Sequence, residues 1–501
     1  MTTGLSTPGR RWLLAVLLGL VSATGFAPLG AWPLTIAALA GLIWLLGQTQ
    51  GPRSAAALGW WFGLGQFALG LNWIATAFTY QAAMPGWLGW VAVILLAVYL
   101  AVYPAIAAGL ARAVAGRRPL PLIFALAAFW IASEWLRATL FTGFAWNPLG
   151  VVWLGLPTAQ AARYVGTYGL SAILILAAGT LVAIARRDLR ATLAAAVMPV
   201  ALSFCATPPV QGSTHVVHIV QPNIDQDARN QPDYAYDGLL KLARLSHRPR
   251  GDAPPRLVLW PEAAVDYYLE TDRLAREALT DLLRPGDLLL TGGTRLERDD
   301  GGEAVGARNS LFVMDARGRL LHRYDKAHLV PYGEYLPMRA LLAPIGLSRL
   351  VPGDIDFWSG PGPRSYRLPG FGKVGVQICY EIIFSGHVVD RANRPDFLFN
   401  PSNDAWFGAW GPPQHLAQAR LRAIEEGIPI VRSTPNGISA VVDPAGRLLH
   451  DIPRHRAGAI DAVLPSAFAP PPFARHGNLL PGLLALALGG VAMIARRAKR
   501  R

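Results

Sequence analysis

The sequence has little cysteine and little charge. Its two cysteines, Cys205 and Cys379, exclude a disulfide framework. Cys205 lies near the end of an apolar segment, where we expect it to be a small buried residue. Charged residues make up only 16% of the chain and hydrophobic residues 52%, a balance that is unusual for a soluble protein.

Acidic residues are almost missing from the two ends of the sequence. Residues 1–210 and 477–501 contain only Glu134 and Asp188 as acids, but 16 of the 46 lysines and arginines. Residues 211–476 hold equal numbers of acidic and basic residues, so the whole net charge of +14 lies among the apolar segments. Such basic clusters record membrane orientation more often than nucleic-acid contact, and we expect no nucleic-acid partner.

Eight apolar segments are long enough, or nearly so, to cross a hydrocarbon layer, which takes roughly 17–25 helical residues. The first could be a cleaved signal peptide, but no convincing cleavage site precedes Pro28, so we interpret it as a span. The predicted spans are 12–28, 32–48, 56–79, 87–111, 120–139, 168–185, 191–208 and 478–495.

The loops between these segments differ in charge. With a cytoplasmic N-terminus, nearly all the basic loop residues fall on the cytoplasmic side, and the opposite short loops contain only Arg163. This asymmetry orients membrane proteins. It predicts seven helices in 1–208, an outer domain in 209–477, and an eighth helix with a basic cytoplasmic tail in 478–501.

The outer domain lies between two proline-rich breakers, Pro208-Pro209 and Pro470-Pro471-Pro472. Short aliphatic runs alternate there with helical patterns, which predicts an α/β domain. The predicted strands are His215–Val220, Arg256–Trp260, Asp287–Thr291, Ser310–Met314, Lys373–Ile378 and Asp396–Asn400, and the predicted helices are Tyr236–Leu245 and Leu416–Glu426.

An aromatic segment, Phe141–Pro148, lies at a predicted outer membrane boundary. It is either an aromatic belt at the membrane surface or a substrate contact, and the sequence does not decide between the two.

Three chemically active side chains follow short predicted strands: Glu262, Lys326 and Cys379. Taken singly, each also has an ordinary explanation. Glu262 could cap a helix, Lys326 could be a surface lysine, and Cys379 could be a buried packing residue. Together they predict nucleophilic acyl transfer, because strand ends carry the sites of α/β folds, and a thiol, a carboxylate and an amine supply nucleophile, base and oxyanion partner.

The motifs around these residues are specific in combination. Trp260–Ala263, His328–Pro337, Cys379–Glu381 and Ser402–Gly408 accompany the Glu, Lys and Cys in chain order. The three residues resemble the triad of the nitrilase superfamily, and nearly the whole chain resembles the apolipoprotein N-acyltransferase family. The resemblance implies a nitrilase-like α-β-β-α sandwich that is carried by a bundle of transmembrane helices in a bacterial inner membrane and faces the periplasm.

The resemblance also implies a reaction in two steps. A membrane phospholipid acylates Cys379, and the thioester then passes to the α-amine of a diacylglyceryl apolipoprotein, the last step of lipoprotein maturation. Glu262 would move the protons, and Lys326 with the backbone N–H of Tyr380 would bind the oxyanion. Further candidates, as supporting or substrate-binding residues, are Glu334, Glu381, Asn309 and Ser402. We expect no cofactor, no metal and a monomer.

Two segments modify this expectation. Family members commonly have Lys-Trp a few residues after a Gln-x-Asn-Ile motif, whereas Arg229-Asn230 stand here, so the role of that tryptophan is absent or reassigned. Residues 338–358 form a long apolar insertion, which predicts a lid that contacts lipid and excludes water from the thioester.

Two other functions fit parts of the sequence. A membrane-tethered amidase acting on a small soluble substrate could use the same triad, but a tether needs one span and eight are predicted. A non-catalytic lipid-binding scaffold would be favoured by a missing triad member, and none is missing.

Overall fold

The protein is described by a computed structural model over residues 7–80, 85–231, 234–247, 254–342, 344 and 356–498, apart from the side chains of Arg229, Asn230, Tyr234 and Leu342. An N-terminal set of apolar helices is followed by a domain of two sheets, and a last helix returns to the apolar set. The helices of the first set are α1 Pro8–Ala23, α2 Trp32–Leu46, α3 Pro52–Gly70, α4 Ile74–Ala77, α5 Leu88–Leu100, α6 Val102–Ala115, α7 Pro119–Thr139, α8 Ala162–Ala185 and α9 Leu189–Leu202, which α15 Leu479–Arg497 joins.

Small residues let these helices pack backbone to backbone. A Cβ atom added to Gly19 of α1 would lie 2.0 Å from the carbonyl oxygen of Phe62 in α3, and one added to Gly65 would lie 2.2 Å from that of Val16. Only glycine permits this approach, which is typical of helix pairs in membranes.

Within the described ranges, four segments are long and apolar enough to cross a membrane: Leu88–Ala115, Pro119–Thr139, Pro157–Ala185 and Leu479–Arg497. Helices α2 and α9 are apolar but shorter. Each predicted span overlaps a helix, although α1 ends at Ala23 and α9 at Leu202, each several residues before the predicted end. The chain is therefore a membrane protein, and the number of eight crossings stays a prediction.

In the part of the chain that the structure describes, the domain between α9 and α15 contains two six-stranded sheets, ordered β12-β1-β2-β3-β4-β5 and β11-β10-β9-β8-β7-β6. Apolar side chains from both sheets, such as Leu257 and Phe397, form one buried core between them. The strands are β1 Gly212–Gln221, β2 Arg256–Leu259, β3 Leu288–Arg298, β4 Ala304–Asp315, β5 Leu320–Asp325, β6 Ser365–Leu368, β7 Gly372–Val376, β8 Phe397–Pro401, β9 Ile430–Ser433, β10 Ser439–Val442, β11 Leu448–Ile452 and β12 Gly458–Pro465.

Helices cover both outer faces of this pair of sheets. Leu242 of α10 (Tyr234–Ser246) and Leu279 of α11 (Arg273–Thr280) pack on the first sheet, and α13 (Gly411–Glu426) covers the second. The result is the expected α-β-β-α sandwich, and each predicted strand and helix overlaps an observed one. The helices are α10 Tyr234–Ser246, α11 Arg273–Thr280, α12 Arg339–Leu342, α13 Gly411–Glu426 and α14 Pro472–His476.

Helix α13 lies between the second sheet and the apolar helices. Its Gln414 Oε1 accepts hydrogen bonds from Trp146 Nε1 at 2.8 Å and Asn147 Nδ2 at 2.9 Å. Trp146 is fully buried at this junction, so it neither forms a surface belt nor faces a substrate site, whereas Phe141 at the start of the same aromatic segment is 88% exposed. Most of the segment therefore joins the two parts of the molecule.

Candidate active site

The ends of three strands bring the predicted triad together. Strands β2 and β3 are parallel, and β4 is antiparallel to both β3 and β5, so β2 and β5 end at the same edge of the first sheet. Glu262 follows β2, and Lys326 follows β5 directly. Cys379 follows β7 of the second sheet, and the charges of Glu262 and Lys326 both act on its thiol.

Lys326 and Asn309 connect two carboxylates. Lys326 Nζ lies 3.2 Å from Glu262 Oε1 and 3.0 Å from Glu334 Oε1. Asn309 Nδ2, from β4, donates to the same two oxygens at 2.7 Å and 2.9 Å. Glu334 is held in turn by the backbone N–H of Val330 at 2.8 Å. All four side chains are at least nine-tenths buried, so the cluster is a fixed electrostatic unit.

Glu262 keeps one oxygen free for chemistry. Its Oε1 carries both hydrogen bonds, and among the described residues none is made to Oε2. The bonded oxygen fixes the carboxylate, and the other can accept the thiol proton. This is the arrangement that a general base next to a nucleophile requires.

Lys326 is a cation and Cys379 a thiol in this site. Burial alone would lower the pKa of Lys326, but Glu262 and Glu334 outweigh it and raise that pKa above its ordinary value. Burial raises the pKa of Cys379 well above its usual range, Glu262 adds to the rise, and Lys326 opposes it. The Cys379 thiol is therefore protonated, and a nucleophilic role would require a base to take its proton as it attacks.

Cys379 lies on a sharp turn between a strand and a 3₁₀ turn, Cys379–Ile383. Its φ of +52° is in the left-handed region, which costs a residue with a side chain about 1–3 kcal/mol and persists only where neighbours enforce it. Such a turn is typical of a nucleophile that must leave the plane of its strand.

Glu381 ties the Lys326 and Cys379 loops together. Its Oε1 accepts from the Tyr324 hydroxyl at 2.8 Å and from the backbone N–H groups of Ala327 at 2.7 Å and His328 at 3.1 Å. Its Oε2 accepts from the Ile378 N–H at 2.6 Å. Burial raises the pKa of Glu381 to about 7, and these donors oppose the rise. Both oxygens of Glu381 are engaged, as are those of Glu334, so of these three carboxylates Glu262 alone has an oxygen without a hydrogen bond among the described residues.

The remaining candidates lie beside the triad. The Tyr380 side chain points to the membrane helices, where its hydroxyl donates to the Gly143 carbonyl at 3.2 Å, so only its backbone is directed to the site. Ser402 follows β8 and is fully buried, and its Oγ has no hydrogen-bond partner among the described residues. The structure brings all eight candidates to one region, and their roles stay predictions.

A buried polar cluster behind Cys379 was not assigned from the sequence. His415 of α13 contacts Asp404 and the backbone of Cys379, and Arg432 of β9 pairs with Asp404. The sequence signals are Asn403-Asp404 directly after a strand and a histidine near the start of a helix, on a face that also carries Gln418 and Arg422. Neither pattern says what the side chains contact.

Parts of two predicted segments lie outside the described residues. These are the side chains of Arg229 and Asn230 and most of the 338–358 insertion. At the ends of that insertion Met338 and Leu341 are exposed, and the Trp358 N–H donates to the Ala307 carbonyl at 2.7 Å. The lid stays a prediction. Within the described ranges no cluster of three or more His, Cys, Asp or Glu side chains could hold a metal ion.

Comparison with known families first defines the class. Residues 219–468 match the carbon–nitrogen hydrolase family, and residues 18–180 match the N-terminal domain of apolipoprotein N-acyltransferase. Among solved structures, an amidase from Nesterenkonia sp. aligns at 19% identity over 52% of this chain and 94% of that chain, with a TM-score of 0.34. A likeness this low carries nothing about activity. By its family matches the chain is a membrane protein with a nitrilase-type domain.

Two relatives that align over nearly their full length identify the family within this class. The apolipoprotein N-acyltransferase of Rhodopseudomonas palustris is 35% identical over 514 residues, which cover 97% of this chain and 95% of the relative. That of Brucella suis is 33% identical over 517 residues, covering 97% of each. The chain belongs to the apolipoprotein N-acyltransferase family.

Proposed function

We propose that this protein moves a fatty acyl chain from a membrane phospholipid to the α-amine of a diacylglyceryl-cysteine at the N-terminus of an apolipoprotein, through a thioester on Cys379. The near full-length relatives and the nitrilase-type domain support N-acyl transfer in lipoprotein maturation. They do not favour an amidase or a scaffold. The observation that carries the chemistry is Glu262, with one oxygen fixed by Lys326 and Asn309 and the other free.

In the first half-reaction the Cys379 sulfur attacks the ester carbonyl as Glu262 takes the thiol proton. The oxyanion is stabilised by the Lys326 ammonium and the Tyr380 backbone N–H. The carbon–oxygen bond then breaks, Glu262 returns the proton to the departing alkoxide, and a lysophospholipid leaves.

In the second half-reaction the neutral α-amine attacks the thioester carbonyl. Its proton passes to Glu262, the carbon–sulfur bond breaks, and the thiolate takes the proton back. Glu334 is connected to Glu262 through Lys326 and Asn309, so it stabilises the cationic lysine whichever protonation state Glu262 has.

The proposal also includes the orientation of the protein and the limits of its domains. We propose that the domain of residues 209–477 lies on the periplasmic side of a bacterial inner membrane. The support is that α7 and α15 each have one end at the catalytic domain and the other in a basic cluster. Arg118 donates to the carbonyl of Arg496 at 3.4 Å at that basic end. At the opposite ends His328 contacts the Thr142 carbonyl, and Asn478 contacts that of Ser385.

Intact-mass measurement tests the donor step. The purified protein, incubated with phospholipid alone, should gain one acyl mass on Cys379. A synthetic diacylglyceryl-cysteine peptide with a free amine should then remove it, whereas the same peptide with an acetylated amine should not. Absence of the acyl mass, or its equal discharge by both peptides, would exclude N-acyl transfer through this cysteine.

A further inference from the structure

The carbonyl of Cys379 is held from behind by two side chains. His415 Nε2 lies 3.1 Å from that oxygen, and Asn400 Nδ2 lies 3.3 Å from it. His415 is fully buried in α13, and Asn400 is fully buried in β8. A carbonyl oxygen only accepts hydrogen bonds, so Nε2 of His415 carries a hydrogen.

The carbonyl of Cys379 and the N–H of Tyr380 belong to one peptide group. That group is planar and trans, so the two bonds point in opposite directions. A hydrogen bond that fixes the carbonyl therefore fixes the N–H as well, and it polarises the N–H as a donor. Within the described part of the chain this N–H has no acceptor, so it is free for an oxyanion.

Nδ1, the other ring nitrogen of His415, lies next to the ion pair between Asp404 and Arg432. Arg432 Nη2 lies 2.9 Å from Nδ1 and 2.7 Å from both oxygens of Asp404, and Asp404 Oδ1 lies 3.0 Å from Nδ1. Burial and the charge of Arg432 lower the pKa of His415, so the ring is neutral and Nδ1 accepts from Arg432. Asp404 balances the charge of Arg432, and the cluster thereby keeps the tautomer that donates to Cys379.

We infer that His415 is a positioning residue, held by Asp404 and Arg432, which orients the Cys379–Tyr380 peptide so that the Tyr380 N–H meets the oxyanion. This inference rests on the proposed function. His415 touches neither substrate nor the reacting atoms, and it acts through the backbone. Its neighbour Gln414 carries the contacts with Trp146 and Asn147, so the same helix joins this peptide to the membrane part.

Two substitutions at His415 distinguish the loss of its hydrogen bond to the Cys379 carbonyl from a loss of the folded state. In His415→Gln the side-chain amide nitrogen reaches the place of Nε2, whereas in His415→Asn it reaches only that of Nδ1. We expect His415→Asn to lower the rate of Cys379 acylation at saturating phospholipid roughly 10- to 100-fold, as misplacement of a reacting group does. His415→Gln should restore much of that rate. The phospholipid concentration at half-maximal rate should stay unchanged, because an oxyanion contact is made only in the transition state.

The measurement is the time course of the acyl mass, made beside thermal unfolding of each variant. Equal losses in two folded variants, or a loss confined to the half-saturating concentration, would overturn the inference. So would the loss of the folded state in both variants, since His415 would then be a structural residue. A wild-type protein that never gains an acyl mass would instead refute the proposed function.

Discussion

At the scale of single residues, the two cysteines have different environments. Cys379 is acted on by Glu262 and Lys326, whereas Cys205 is half-buried beside the apolar helices. We expect Cys379→Ala and Cys379→Ser to abolish acyl transfer and Cys205→Ala to retain most of it. Transfer to a diacylglyceryl peptide measures this, and normal activity in Cys379→Ala would exclude the thioester.

Glu262 and Lys326 should fail in different ways. Glu262→Gln removes the proton carrier of both half-reactions, so it should block formation and discharge of the thioester. Lys326→Ala removes an oxyanion partner, a loss worth roughly 10²–10³ in rate, so slow acylation of Cys379 should remain detectable. Intact mass with phospholipid alone gives the first step, and addition of the peptide gives the second. Normal acylation of Glu262→Gln would show that another group, such as Glu334 or Glu381, is the base.

The ionisation of Asp404 should make the stability of the fold depend on pH in the acidic range. Burial opposes its ionisation, but the charge of Arg432 outweighs burial and lowers the pKa of Asp404 to about 2 from its ordinary 3.8. A carboxyl whose folded pKa is depressed stabilises the fold above its unfolded pKa, and this contribution is lost as the pH falls towards the folded pKa. The difference in unfolding midpoint between wild type and Asp404→Asn should therefore shrink from about pH 4 towards pH 2. A constant difference across that range would contradict the assignment.

At the scale of elements, α13 joins the two parts of the molecule. Glu425 Oε1 accepts from the Thr167 N–H at 2.6 Å, the Thr167 hydroxyl at 2.6 Å and the Ser385 hydroxyl at 2.7 Å. Its Oε2 lies 2.8 Å from Arg422 Nε, in a pair with almost no exposure. One carboxylate thus holds the start of α8, the loop after Cys379 and α13 itself.

Removal of Glu425 should destabilise this junction. Glu425→Ala leaves Arg422 as a buried charge without its partner, which costs about 3–5 kcal/mol. Glu277→Ala is the matched control, because it breaks an exposed pair with Arg273 in α11 worth about 0.2–1 kcal/mol. Thermal unfolding in detergent compares the two, and equal shifts would show that the Glu425 contacts add little.

The sequence predicted elements better than it predicted their contacts. Short apolar runs predicted β2, β7 and β8, because β2, β8 and the Val374–Val376 end of β7 are buried on both faces. Strands β6, β9, β10, β11 and β12 were not predicted. In β12 exposed and buried residues alternate through Asp461 and carry no such run, whereas β9 and β10 are fully buried but only four residues long. Sheet order and the partners of His415 depend on residues far apart in the chain, which local pattern does not encode.

The same limit applies to the site. The sequence predicts the triad of Glu262, Lys326 and Cys379 because each residue follows a strand inside a specific motif and the motifs occur in the chain order of the family. The burial of Trp146 at the junction had no local signal, because an aromatic segment at a membrane boundary looks the same whether it faces lipid or protein.

At the scale of the whole molecule, the basic residues collect at one end of the membrane helices. Arg112 Nε donates to the Thr49 hydroxyl at 3.0 Å, Arg117 Nε donates to the Thr49 carbonyl at 3.0 Å, and Arg496 contacts the backbone of α6. Helix α7 leads from this end to the catalytic domain over 21 residues, roughly 30 Å at 1.5 Å per residue. That distance matches the hydrocarbon core of a bilayer, so the basic end and the active site should lie on opposite sides of the membrane.

Cysteine labelling tests this topology. In a Cys205→Ala background, where Cys379 is 5% exposed, an impermeant maleimide should label Gly301→Cys from the periplasmic side of intact inner membranes. Arg118→Cys should be labelled only after the membrane is permeabilised. The positive-inside rule and the length of α7 both predict this result. The Cys205→Ala protein without an added cysteine is the control for background labelling. Labelling of Arg118→Cys but not Gly301→Cys in intact membranes would place the catalytic domain in the cytoplasm, where the proposed encounter with exported apolipoproteins could not occur.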